Sequence, residues 1–321
     1  MTYALSIAIR ADDREIDRFS ASRVLLDEDL RFQAVVAGAI PNDGSLPERE
    51  IVPDWSEEGG PALRGFSLRS DVFATHYDAG VFENAALRRI GQLKIKAATE
   101  RTLDLTNARW TWRLEAVAAK TADSRSIISG RLQRRPYPFI CTRLAARADA
   151  ASDAAILGVR LDESVRIAAR RHLLDGRAVE VGALLIGSVY FDPDAKRVEV
   201  HATDYLPVEP SAKTGSSSAH FGFGIETFQT AAATVSDDAY GRIVVGHSHT
   251  HPPCVGCFDR SDCRTDTIFF SLDDYGVHAG AFSMPYHIAT VFGKTPDRPA
   301  IEPGFRTYGW ERARLVEIQP D

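Results

Sequence analysis

No stretch of this sequence approaches the roughly 18 apolar residues a membrane-crossing helix needs, so no such helix is expected. The opening MTYALSIAIRADD lacks a basic segment followed by a long apolar one, so a secretory leader is not expected. There is no excess of basic residues. A formal net charge of −6 gives no bulk attraction for nucleic acid. No internal repeat recurs at solenoid periods. Cysteine is scarce: four residues in a chain of 321 do not make a disulfide scaffold. These absences point to a cytoplasmic protein whose thiols are reduced or metal-bound, without membrane or nucleic-acid partners.

What is present fits an ordinary globular chain, with 44% hydrophobic and 26% charged residues. The length is too great for one ordinary core and suits two domains. Residues 1–145 read as an α+β domain of unknown fold and role. ALSIAIRA (4–11), FQAVVAGAI (32–40) and RWTWRLEAVAA (109–119) have strand character. FENAALRRIGQLKIKAA (82–98) reads as a helix running into a strand. PNDGSLPERE and PDWSEEGGPALRG read as loops by their Pro, Gly and Asp content. Trp110 and Trp112 are expected in the core. RLAARADAASDAA (143–155) reads as a linker or short helix.

A second, α/β domain is expected over residues 155–318. Residues 157–176 give a strand and then a helix, with Asp162 as N-cap, Gly176 past its end, and Ile167, Ala168, Leu173 and Leu174 on its apolar side. Strands are expected at 179–191, 197–208, 242–252, 286–293 and 308–318, and helices at 225–238 and 271–282.

The chemistry gathers around GHSHTHPPCVGC (246–257). Side chains two apart on a strand share a face, so His249 and His251 can present two imidazoles to one ion. His247 shares that face one step back. A catalytic zinc keeps three protein ligands and one open position, so a third ligand must come from elsewhere. Ser271 can cap the helix that starts there, and Asp274 shares one helical face with it. Water activated by a metal also needs a proton acceptor. Glu180, at the head of the apolar run VEVGALLIG, is the best candidate, because a carboxylate there is costly unless paired or used.

Taken together, EVGALLIG (180–187), GHSHTHP (246–252) and FFSLDDYGVH (269–278) resemble the JAMM, or MPN-plus, metalloproteases. Their pattern is a glutamate, then His-Ser/Thr-His-Pro, then Ser-x-x-Asp. The resemblance implies an MPN fold, cytidine-deaminase-like in its α/β arrangement, over residues 155–318. It implies one catalytic Zn²⁺ held by His249, His251 and Asp274, with Glu180 as general acid/base. It implies that Ser271 stabilises the oxyanion, a role whose loss typically costs about 10²–10³ in rate. The implied activity is zinc-dependent hydrolysis of an amide bond at the C-terminus of a ubiquitin-like protein, after its Gly-Gly. The outcome would be either deconjugation or precursor trimming. The implied partners are that modifier or its conjugate, with activating and conjugating enzymes of the same pathway. Two other readings stand beside it: a non-catalytic MPN scaffold, and a zinc amidase acting on a small molecule.

Two features depart from the pattern. Gly182-Ala183 stand where the family has a glycine one step later. Residues 252–270 separate His251 from Ser271, where the family spacing is much shorter. The excess carries Cys254, Cys257 and Cys263. They hold a second, structural zinc, or stay as reduced thiols, or serve a redox or inhibitory role. A structural zinc wants four ligands, the fourth drawn from Asp259, Asp262, His247 or Cys141. For His247, packing or a hydrogen bond behind the ligands is expected; His278 is expected at the surface or behind the ligands, where it could orient its helix; His172 and His287 have no evident partner. If the cysteines hold an ion, the purified protein is expected to carry near two zinc equivalents. Elemental analysis of Cys257→Ser should then find near one; a single equivalent in both proteins removes the second ion.

Overall fold

The computed structural model describes residues 3–21, 24–46, 49–57, 61–100, 105, 108–118, 135–144, 157–175, 179–208, 223–236, 241–252, 264–296 and 303–320. The chain divides into two compact units, Met1–Tyr137 with Arg312–Arg314, and Pro138–Glu311 with Leu315–Asp321. Helices and sheets are mixed throughout. Among the described residues no helix is long and apolar enough to cross a membrane.

The first unit holds two three-stranded sheets. In one, β1 (Tyr3–Ala11) lies between β2 (Arg14–Ser20) and β6 (Trp110–Ala118). In the other, β4 (Leu63–Arg69) lies between β3 (Glu50–Trp55) and β5 (Ala74–Asp78). All these pairings are antiparallel. The alternating Leu5, Ile7 and Ile9 of β1 meet Phe66 and Leu68 of β4 in one core, where Phe66 stacks on Tyr77 with ring centroids 5.5 Å apart. Trp110 and Trp112 pack partly buried against it.

Three local expectations fail here, each for a visible reason. The apolar run from Phe32 belongs to helix α1 (Val24–Val36), whose Leu26, Leu30 and Ala34 recur every four residues and are buried. Residues 50, 53–55 and 63–65, read within loops, lie in strands; Pro53 sits on β3, an edge strand, where a missing N–H is tolerated. Helix α2 (Glu83–Thr99) continues through the expected strand, because Ala86, Ile90 and Ala97 stay on one face.

The second unit is built on an eight-stranded mixed sheet. Its elements are β7 (Phe139–Cys141), β8 (Leu157–Leu161), α3 (Glu163–Asp175), β9 (Gly182–Asp192), β10 (Arg197–Val208), α4 (Ile225–Ser236), β11 (Ile243–Thr250), α5 (Leu272–Ala281), β12 (Ile288–Gly293), β13 (Gly304–Glu311) and β14 (Arg314–Ile318). The strand order is β14-β13-β12-β11-β9-β10-β8, with β7 pairing β9 as well. β12 is buried along its length, and β9 and β11 over most of theirs, as suits central strands covered on both faces. β11 and β12 run parallel with α5 between them in sequence. In such a unit the helix starts beyond the carboxyl end of the first strand, where α/β folds place their sites.

Close strand packing requires a glycine just ahead of the histidines. A Cβ on Gly246 would lie 1.9 Å from Ile288 O, at the point where the β11–β9 register shifts. Residues 308–318 form two strands rather than one. They turn at Arg312 and Ala313, both left-handed (φ 48° and 58°), without the glycine or asparagine that usually marks such a turn. The apolar side of α3 also differs: Val165, Ala169 and Leu173 are buried, while Ile167 is 52% exposed. All but the first two residues of the expected linker (143–155), and Gly176, lie outside the described residues.

In the first unit, Asp29 on α1 is buried, with Tyr77 Oη and Gln33 Nε2 both donating to its Oδ2 at 2.7 and 2.5 Å. Burial pushes its carboxyl up to about 6, against the pull of these hydrogen bonds. A carboxyl raised on folding favours the folded state below its unfolded value near 3.8 and loses that contribution as pH rises through about 6. Over that window the loss is about 3 kcal/mol at 1.36 kcal/mol per pKa unit. Asp29→Asn keeps an acceptor and has no proton to lose. Denaturant unfolding from pH 4 to 7 should show wild type losing stability relative to Asp29→Asn; parallel profiles refute the assignment.

Candidate metal centre

The geometry follows from matching one strand against one helix. Alternate residues of β11 point the same way, about 6.6 Å apart. Residues four apart on a helix point the same way, about 6 Å apart. So α5 sets Asp274 against His249 and His251, and one turn later sets His278 against His247. His249 Nε2 lies 3.3 Å from Asp274 Oδ1, and His251 Nε2 lies 3.7 Å from Asp274 Oδ2. The two Nε2 atoms are 3.1 Å apart. His247 Nε2 meets His278 Nδ1 at 3.1 Å.

Glu180 reaches the cluster by strand register. β9 pairs antiparallel with β11, placing Gly182 opposite His249. The pairing continues past the strand ends, with Thr250 N–H donating to Val181 O at 2.8 Å. Glu180 therefore falls opposite His251, and its Oε1 lies 3.7 Å from His251 Nε2. Glu180 precedes the regular strand rather than heading it, and is 6% exposed.

Ser271 is the N-cap of α5. Its Oγ accepts Asp274 N–H at 3.1 Å, while Asp274 Oδ2 accepts Ser271 N–H at 2.8 Å. This capping box locks the carboxylate, leaving Oδ1 for His249. The Ser271 hydroxyl proton is not consumed by the cap.

The electrostatics of the cluster favour a positive charge. Burial alone would raise Asp274, but the charge and hydrogen bond of His249, with His251 and Ser271 N–H, hold its carboxyl far below the ordinary range. Burial opposes the charged form of His251, yet Asp274 and Glu180 outweigh it and raise its pKa. His251 Nδ1–H donates to Thr267 O at 2.8 Å, so a neutral ring turns its Nε2 lone pair inward. Two imidazoles and an ionised carboxylate then face one point, which calls for a positive charge.

The donors fit zinc. Ligands about 2.0–2.1 Å from a tetrahedral ion lie about 3.3 Å from one another. The separations of 3.1 Å between the two Nε2 atoms and 3.3 Å from His249 Nε2 to Asp274 Oδ1 lie close to that value. Among the described residues, His249, His251 and Asp274 form a cluster able to coordinate a metal ion.

The remaining expected residues fall elsewhere. His247 is not a donor of this cluster. It packs against Phe282 at 4.6 Å between ring centroids, and burial drives both His247 and His278 well below the usual imidazole range. His172 Nδ1 pairs with Tyr205 Oη at 2.8 Å. His287 Nδ1 accepts Met284 N–H, and burial pushes its pKa down to about 4. The Asp162 carboxylate meets His201 Nε2 at 2.6 Å, a pair that sequence reading missed. Cys254, Cys257 and Cys263, with Asp259 and Asp262, lie outside the described residues; Cys141 is exposed on β7. Thr267 was also missed. It meets the His251 ring through its backbone carbonyl, which leaves no mark on residue type.

No family model matches the chain, and no curated protein matches it. Among solved structures it is similar to the solution structure of a Desulfitobacterium hafniense protein, at 17% identity over 51% of this chain and 94% of that one, with a TM-score of 0.34. So slight a likeness bears on neither fold nor chemistry.

The two histidine pairings predict different losses. His249→Ala should lose zinc from this cluster, read by equilibrium dialysis against a competing chelator. His247→Gln should keep it, whatever it costs in stability. Equal loss in both variants would show that His247 belongs to the donor set.

Proposed function

We propose that the protein is a zinc-dependent peptidase of the JAMM type, with an MPN fold over residues 155–318, that cuts the amide bond at the C-terminus of a ubiquitin-like protein. The observation that carries this reading is Glu180. A metal site with a purely structural role needs donors alone. Here a second buried carboxylate, beyond the two histidines and Asp274, stands 3.7 Å from a donor nitrogen. That place is suited to proton transfer.

Each residue has a task. His249, His251 and Asp274 would hold the ion. Bound zinc supplies Lewis acidity, polarising a carbonyl and lowering the pKa of water in its open position towards about 7. Glu180 takes the proton of the attacking water and returns it to the departing amine. Ser271, its lone pair engaged by Asp274 N–H, turns its own O–H towards the oxygen that gains charge as the carbonyl becomes tetrahedral. The capping box keeps that hydroxyl and the Asp274 carboxylate in fixed relation, so donor and oxyanion partner move as one.

The surface beside the cluster favours a chain-like substrate over a small amide. Phe269, 54% exposed, packs on His251 with ring centroids 4.6 Å apart, so an apolar shelf borders the metal site. A small-molecule amidase would instead enclose its substrate in a closed pocket. In this reading the first unit engages the modifier, its target or an enzyme of the same conjugation pathway, and the setting is cytoplasmic.

Glu180→Gln is expected to keep its zinc and lose about 10²–10⁴ in kcat on a ubiquitin-like fusion cleaved after Gly-Gly. Zinc content and cleavage are measured on the same preparation. Undiminished cleavage by this variant refutes the role given to Glu180.

A further inference from the structure

His251 lies one residue past the end of β11, its backbone N–H still donating to Phe292 O at 2.9 Å. The contact that holds its Nδ1 comes from an irregular segment, residues 264–270. His251 Nδ1–H donates to Thr267 O at 2.8 Å, and Thr267 Oγ1–H donates back to His251 O at 3.2 Å. Thr267 is itself bound to the strand beyond. Its N–H donates to Lys294 O at 3.0 Å, and its Oγ1 accepts Lys294 N–H at 2.9 Å. Gly293 leaves room for this contact, since a Cβ there would lie 2.5 Å from Thr267 Oγ1.

The residues on either side of Thr267 are gripped by one guanidinium. Arg306, on β13, donates to Asp266 Oδ2 at 2.7 Å and also to Ile268 O. Asp266 Oδ1 closes the loop by accepting Ile268 N–H at 2.9 Å. The Arg306 and Asp266 side chains are 36% and 35% exposed, so the pair adds little to global stability. Its value is directional: a planar fork fixes two acceptors at once.

We propose that Arg306 and Thr267 are positioning residues for His251, holding segment 266–268 so that the Thr267 carbonyl fixes the imidazole as the Nδ1–H tautomer with Nε2 aimed at the metal position. The proposal rests on reading His249, His251 and Asp274 as metal donors. Partners behind a metal ligand typically govern 10- to 100-fold in metal affinity.

The test has a metal-free arm and a zinc arm. In the metal-free protein, at a pH above the raised His251 pKa, long-range ¹H–¹⁵N NMR should report His251 as the Nδ1–H tautomer, with a slowly exchanging ring proton. Arg306→Gln should speed that exchange and weaken zinc binding about 10- to 100-fold in a chelator competition, with little change in Tm. Arg306→Lys should recover part of both effects. Should Arg306→Gln not fold, Asp266→Asn carries the same expectation. Wild-type exchange and wild-type affinity in a folded variant overturn the proposal. A wild-type protein that binds no zinc overturns the metal reading instead, and the ring-proton exchange then decides the clamp alone.

Discussion

The near equality of two repeat lengths organises the second unit. Two residues of strand and four residues of helix advance by almost the same distance. A helix lying along a strand can therefore keep step with it for two or three contacts before the mismatch grows. β11 and α5 use that allowance twice. The outer step brings Asp274 to His249 and His251, and the inner step brings His278 to His247. The inner pair sits among Phe223, Phe282 and Trp310, so the second contact is apolar packing with one polar link. A shift of one residue along β11 would turn every histidine to the opposite face of the sheet. The tight approach at Gly246 holds that register from the strand's own backbone.

The cluster was legible in the sequence because its chemistry resides in side chains at regular spacings. Alternation placed His249 and His251 together, helical spacing placed Asp274 behind Ser271, and the cost of a carboxylate in an apolar run singled out Glu180. What stayed hidden had no such signal. The Thr267 carbonyl would be the same on almost any residue. The β13–β14 turn uses Arg312 and Ala313 in a conformation that neither residue advertises. In the first unit, Pro53 disguised an edge strand, and the run after Phe32 disguised the end of a helix. The half-buried strands there alternate weakly. Their order depends on pairings between distant segments, such as β1 with β6, which local pattern does not encode.

Asp274 carries two obligations at once. One carboxylate oxygen completes the start of α5 through Ser271 N–H, and the other faces His249. Helix initiation and the candidate metal cluster thus share a residue. The same economy appears at His251, whose backbone N–H continues the sheet by donating to Phe292 O while its ring serves the cluster.

The paired bonds between His251 and Thr267 have a consequence for the stretch of chain that separates them. Because they tie residues 251 and 267 together, the ends of that stretch are already closed before anything within it is specified. Closing a loop costs entropy that grows only with the logarithm of its length, about 0.6 kcal/mol for each doubling. Insertions between these two anchors are therefore cheap, and the anchors shield the donors from them. The long spacing between His251 and Ser271 is of the kind that such a tether permits.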